Sequence, residues 1–201
     1  MILIKYAPFA CAFAMLLTIS CDSKDSQQGD QLFAEGKYEE AVSEYTQYIE
    51  YNPSDVKSIY NRGRAYEELG EYDKSLEDYE AALEIDPQNM NALMSIGKFH
   101  FRNDAFGDAA FYFDKAIKVK ENSANAHFLN ARANHKLGET GKAMESYDQA
   151  ISLNPNYGAA YLYRGALKIF MKKKQSGCSD LKKAQSLETP EAEAAVEKYC
   201  S

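Results

Sequence analysis

Gly29, Gly63, Gly97, Ala131 and Gly165 stand 34 residues apart throughout. Three other columns keep that stride without an insertion: Ala41, Ser75, Ala109, Ala143, Gly177; Tyr45, Tyr79, Phe113, Tyr147, Leu181; and Tyr48, Ala82, Ala116, Ala150, Ala184. Prolines punctuate it at Pro53, Pro87 and Pro155. Such self-similarity forces one repeated supersecondary unit, each copy burying its apolar face against the next. The residue types say what the unit is. Small residues at Gly63 and Ser75 let two helix backbones approach, Tyr79 fills the space between them, and Ala82 admits the next helix. Gly70 ends a first helix through the left-handed turn region. Asp86-Pro87 ends a second, because the residue before proline avoids the α region.

A 34-residue period with small, aromatic, small and proline columns resembles the tetratricopeptide repeat. The resemblance implies an all-α fold, a right-handed α-α superhelix of five helix pairs, phased 22–55, 56–89, 90–123, 124–157 and 158–191. The solenoid proper is expected over 29–188. The first helix of repeat one reads as polar and short. Repeat three has Asp104 for the usual glycine and Glu121 for the usual proline, so its second helix is expected to run straighter into the next repeat. Lys174 stands in the aromatic turn column of repeat five, which weakens the signal for a turn there.

An open stack needs a cover. Thr189-Pro190, followed by Ala192, Ala195, Val196 and Tyr199 at helical spacing, predicts a capping helix over 190–199 within a terminal unit 189–201. Cys178 and Cys200 lie about equally far from the turn near Glu188. In antiparallel helices that places them opposite each other, and the reading is a disulfide that pins the cap, with two free thiols as the alternative.

The N-terminus reads as an export segment. Lys5 supplies a short basic region, Ala7 to Ile19 form an uncharged apolar run, and Ser20-Cys21 follow. The run is too short for a secure transmembrane helix, so 1–20 is read as a signal peptide. Leu17-Thr18-Ile19-Ser20-Cys21 resembles a bacterial lipobox, which implies lipidation of Cys21 and a polar tether over 21–28. The leucine is four residues before the cysteine, one further than the lipobox prefers, and a plain secretory peptide or a retained anchor is the alternative. The expected location is the bacterial cell envelope, lipid-anchored at the outer membrane or on its periplasmic face.

Composition narrows the function. Asp and Glu outnumber Lys and Arg by 30 to 23, for a formal net charge of -7. The longest basic run is Lys172-Lys173-Lys174, so nucleic acid is not the expected partner. His100, His127 and His135 lack metal-ligand spacing, and His100 and His127 fall in packing columns. No GxSxG, CxxC or Gly-rich phosphate loop occurs. The reading is therefore no enzyme, no metal and no cofactor.

In tetratricopeptide proteins the first helices of successive repeats line a concave groove. Carried onto this chain, that face selects Tyr60, Arg64, Lys98, Phe101, Arg102, Phe128, Arg132, His135 and Lys136. Arg64, Lys98 and Arg132 share one column, and Arg102 and Lys136 the next. This basic stripe in an acidic chain suits a protein or peptide with an acidic segment or a free carboxylate, with Tyr60, Phe101 and Phe128 giving apolar contact. The alternative is that neighbouring acids such as Glu67 and Glu68 neutralise the cations. Some family members grip a C-terminal carboxylate with a lysine and asparagine clamp, and here only Asn61 stands at a clamp position. The expected function is a membrane-anchored adaptor or scaffold, with a structural subunit of an outer-membrane assembly or secretion complex as the second reading.

Overall fold

The structure, a computed structural model, describes residues 26–200. The expected signal peptide, Cys21 and most of the tether lie outside the described residues. Within them the chain forms eleven α-helices and no strand: α1 Gln27–Ala34, α2 Tyr38–Tyr51, α3 Val56–Glu68, α4 Tyr72–Ile85, α5 Met90–Arg102, α6 Phe106–Val119, α7 Ala124–Lys136, α8 Thr140–Leu153, α9 Gly158–Phe170, α10 Lys174–Ser186 and α11 Ala192–Cys200. The expected all-α solenoid is the fold. Each helix packs chiefly on its neighbours in sequence, as a stacked-hairpin protein must. No described helix is long and apolar enough to cross a membrane.

The turn inside every pair is the same object. Gly36, Gly70 and Gly138 take φ of 76°, 76° and 79°, and the equivalent residues Asp104 and Lys172 take 57° and 61°. In each, the residue after this position donates its N–H to the carbonyl five back, as in Glu71 N to Tyr66 O and Ala105 N to His100 O, both 2.9 Å. This closes the helix end in a Schellman-type motif. Packing of the hairpin thus imposes the left-handed turn even where the glycine is missing, and repeat five turns at Lys172 as the others do.

The joints between pairs also repeat. Side chains of Asp55, Asn89 and Ser123 cap α3, α5 and α7, accepting from the N–H three residues on at 2.8, 3.0 and 3.3 Å. This corrects the expectation for repeat three: α6 stops at Val119, its C-cap Lys120 leaves helical geometry (φ -141°, ψ 89°), and Ser123 N donates to Lys120 O at 3.3 Å. The break is made without the proline that stands at Pro87, and Ser123 caps the next helix as Asn89 does.

The core follows the columns. Ala41, Ala82, Ala109, Ala116, Ala143, Ala150 and Ala184 are fully buried, as are the rings of Tyr45, Tyr79, Phe113 and Tyr147. Three of these rings sit where a Cβ on the facing glycine would collide: 2.6 Å from Tyr45 at Gly29, 2.9 Å from Tyr79 at Gly63, and 2.6 Å from Phe113 at Gly97. The ends differ from the sequence expectation by two residues each. Helix α1 begins at Gln27, so Gln27 and Gln28 are helical rather than tether. Helix α11 begins at Ala192, not Pro190, because Glu191 takes a left-handed φ of 67°. Thr189 caps nothing with its hydroxyl, which lies against Gly158 at the start of α9.

Candidate functional site: a cation–aromatic groove

The odd-numbered helices meet along one face. There Asn61 Nδ2 on α3 donates to Asp30 Oδ1 on α1 at 2.9 Å, and Tyr157 Oη, at the start of α9, donates to Asn125 Oδ1 on α7 at 3.1 Å. Four of the five predicted cations, Arg64, Arg102, Arg132 and Lys136, are placed against aromatic rings. Arg64 lies 4.3 Å over Phe33 of the preceding odd helix. Arg132 lies 4.8 Å over Phe101, 5.0 Å over Tyr163 and 5.8 Å over Phe128, so rings from three successive odd helices surround one guanidinium. Arg102 lies 3.5 Å over Tyr72 and 5.7 Å over Phe99, and Lys136 lies 5.9 Å from Phe106. Lys98 is exposed without a ring seat. The residue in register with it is Glu67, whose carboxylate instead accepts from Tyr79 Oη at 2.7 Å.

Among the described residues none of Arg64, Lys98, Arg102, Arg132 and Lys136 forms an ion pair. Neutralisation by Glu67 or Glu68 is therefore not what the structure shows. A cation on a ring face keeps its N–H edge available for a carboxylate while losing rotational freedom, which lowers the cost of gripping a ligand.

The aromatic selections fare unevenly. Tyr60 is half-buried, its ring 5.3 Å from that of Tyr79, and Phe101 is half-buried against Phe106 at 5.2 Å. Phe128 is a correction: only 6% of it is exposed. Tyr157 at 4.8 Å, Tyr163 at 5.8 Å and Tyr147 at 6.2 Å enclose it. It belongs to the core and supports Arg132 rather than meeting a partner. Phe33, Tyr72 and Tyr163 are the ring seats that column reading missed.

The N-terminal end of the face is acidic. Asp30, in the same column as Arg64, Lys98 and Arg132, accepts from Tyr45 Oη at 2.7 Å and from Lys57 Nζ at 2.5 Å as well as from Asn61. Burial alone would raise its pKa, but these donors hold it below the usual aspartate range. Asn61 is thus already engaged by a carboxylate of this chain. The cations without carboxylate partners stand further along, from α3 to α7. His135 is half-buried, and burial followed by the neighbouring Lys136 lowers its pKa. It adds no charge to the groove at neutral pH. Its sign in stability is definite: the unfolded chain protonates first as pH falls through the ordinary histidine range, so this residue's contribution is present above that range and lost below it. His100 stacks on Tyr112 at 5.4 Å, and His127 Nε2 lies 2.9 Å from Glu121 O. No group of three or more His, Cys, Asp or Glu side chains among the described residues could hold a metal ion.

Comparison with known proteins agrees with this architecture. The tetratricopeptide repeat family matches residues 26–90, 60–119 and 124–157. Hsp70-Hsp90 organizing protein 1 of Arabidopsis thaliana is 40% identical over 47 residues, 23% of this chain but 8% of that protein, and its Glycine max counterpart is 43% identical over 44 residues, 22% and 8% respectively. Among solved structures, MamA superimposes with a TM-score of 0.75 at 23% identity, over 80% of this chain and 94% of that one. YrrB, described as a TPR protein with an unusual peptide-binding site, gives 0.75 at 18% identity, over 88% and 94%. The repeat columns, the eleven stacked helices and these matches place the chain in the tetratricopeptide repeat family.

Proposed function

We propose that the chain is a membrane-anchored adaptor whose odd-helix groove captures an acidic segment of a partner protein. The observation that carries this reading is the stripe of cations held on rings without carboxylate partners. The peptide-binding description of YrrB and the organizing role in the name of the plant relatives point the same way. Reversing Arg64, Lys98 and Arg132 together to Glu is expected to weaken capture of an acidic peptide by about 30-fold or more, the loss of roughly 2 kcal/mol. Titration of a labelled peptide at low and moderate salt measures it. Wild-type binding should weaken as salt rises. Affinity unchanged by the triple reversal ends the groove reading.

Anchoring rests on the lipobox resemblance at Cys21. Radiolabelled palmitate fed to expressing cells should enter the protein and not the Cys21→Ala variant, which should leave the membrane fraction. A Cys21→Ala protein that keeps its label and its membrane association argues against lipidation.

In an oxidising envelope the cap is expected to be stapled. Cys178 on α10 and Cys200 on α11 have Cα atoms 5.5 Å apart, a separation a disulfide spans, across 22 residues. Closing a loop of that size contributes about 3 kcal/mol in the chain-entropy model. The exported protein should show no alkylatable thiol at either position before reduction, and Cys200→Ser should lower the urea midpoint. Quantitative alkylation without reductant would refute the bridge.

A further inference from the structure

The opposite face carries a second periodic device. Arg62 on α3 is clamped between its flanking even helices: Nε and Nη2 donate to Asp78 on α4 at 2.9 and 2.7 Å, and Nη1 to Thr46 on α2 at 3.2 Å. The equivalent Arg164 on α9 repeats this with Asp180 on α10 at 2.8 and 2.7 Å and Asp148 on α8 at 2.6 Å. In the α5 valley the equivalents are Ile96, which is fully buried, and the half-buried Tyr112, which stacks on His100. A large side chain thus fills three of the four valleys.

The fourth, over α7 between α6 and α8, is different. There the equivalents are Asn130 and Ser146, both short, and the valley is an open cleft of about 600 Å³. Asp114, which stands in the column of Asp148, remains at its edge with only an exposed ion pair to Lys118 at 3.3 Å. The floor is polar and nearly buried: Asn130 Nδ2 donates to Ala110 O at 3.1 Å, and Ser146 Oγ to Asn130 Oδ1 at 3.0 Å. Asn134 Nδ2 donates to Asn130 O and Oδ1 at 3.0 and 2.9 Å. No donor among the described residues reaches Asn134 Oδ1. Phe111 stands in the wall, 54% exposed, with Lys115 Nζ already 4.6 Å over its ring. The lining carries three carboxylates, Asp114, Glu139 and Glu145, against Lys142.

We infer that this cleft is a second docking surface, separate from the groove, that takes an arginine side chain from a partner protein. The guanidinium lies over Asn130 and Ser146 as Arg164 lies in the next valley, with Asn134 Oδ1 and Asp114 accepting and Phe111 flanking the stem. Arginine suits the site better than lysine because a planar group with several donors can bridge a carboxylate and an amide oxygen at once. The fold twice holds its own arginine at the equivalent position.

The chain has no tryptophan, so Phe111→Trp gives the full chain a single reporter in the cleft wall. The probe is an acetylated, amidated Gly-Gly-Arg-Gly-Gly peptide, with citrulline for arginine as its neutral isostere. Expected is a saturable fluorescence change with the arginine peptide and at least about tenfold weaker binding of the citrulline peptide, as loss of one charge-assisted contact predicts. The response should survive Arg64→Glu, Lys98→Glu and Arg132→Glu together. It should vanish when Asn130→Arg with Ser146→Asp fills the valley, a change expected to keep the fold because repeat five already uses that pair. Equal response to both peptides, or persistence in the filled variant, overturns the inference. A change driven by the protein's own concentration without peptide also overturns it, in favour of a second copy as occupant.

Discussion

Asp78→Ala is expected to lower stability by about 3 kcal/mol, the lower end of the range for breaking a buried ion pair. Asp78 is 5% exposed and holds Arg62 through two hydrogen bonds. Those bonds are the leading reason the Arg62 pKa is raised. Without the carboxylate, Arg62 keeps only Thr46 Oγ1. Its guanidinium is left largely out of water, with a partial escape because 21% of the side chain is exposed. The cost belongs to the orphaned charge rather than to the lost attraction, and a second variant separates the two. Arg62→Ile with Asp78→Tyr installs the pair that repeat three carries as Ile96 and Tyr112, and should recover stability to within about 1.5 kcal/mol of the parent. Urea midpoints of the two variants decide it. Loss of less than about 1 kcal/mol in Asp78→Ala would show that the clamp is solvated.

Phe113→Ala should cost about 3–5 kcal/mol. The ring is fully buried, and one wall of the space it fills is Gly97, which has no side chain to swing inward. The void therefore stays open, and the cavity term adds to the lost transfer energy. Phe113→Leu, matching Leu181 at the same column, should retain most of the stability. A solenoid need not unfold in one step, so hydrogen exchange should show α5 and α6 losing protection before α9 and α10. Uniform loss along the chain would mean the hairpins are more tightly coupled than their contacts indicate.

How much of this was legible beforehand depends on which distance in sequence a contact uses. Contacts inside one repeat recur with the period, so Gly63 against Tyr79 and the turn at Gly70 could be read from columns. The ring seats of the cations span repeats at a different offset: Phe33 to Arg64 and Phe101 to Arg132 are each 31 residues. A column comparison at 34 residues does not reveal them. The column selected Phe128 for the lining but carried no sign that Tyr157 and Tyr163 would cover it. The Arg62–Asp78 clamp was missed because its column reads Arg, Ile, Asn, Arg, which looks like drift until the partner column, Asp, Tyr, Ser, Asp, is set beside it. The expectation of a straighter α6 failed for the opposite reason: absence of proline implied absence of a break, while α6 stops at Val119 without one and Ser123 starts the next helix.

Helix α1 is eight residues long, lacks a side-chain N-cap bond and, among the described residues, leans chiefly on α2 and the edge of α3. Tension applied through the N-terminal end would meet the weakest hairpin first and peel the stack sequentially, each released pair lengthening the reach of those still coiled. A molecule built this way behaves under load as an extensible spring rather than a rigid post.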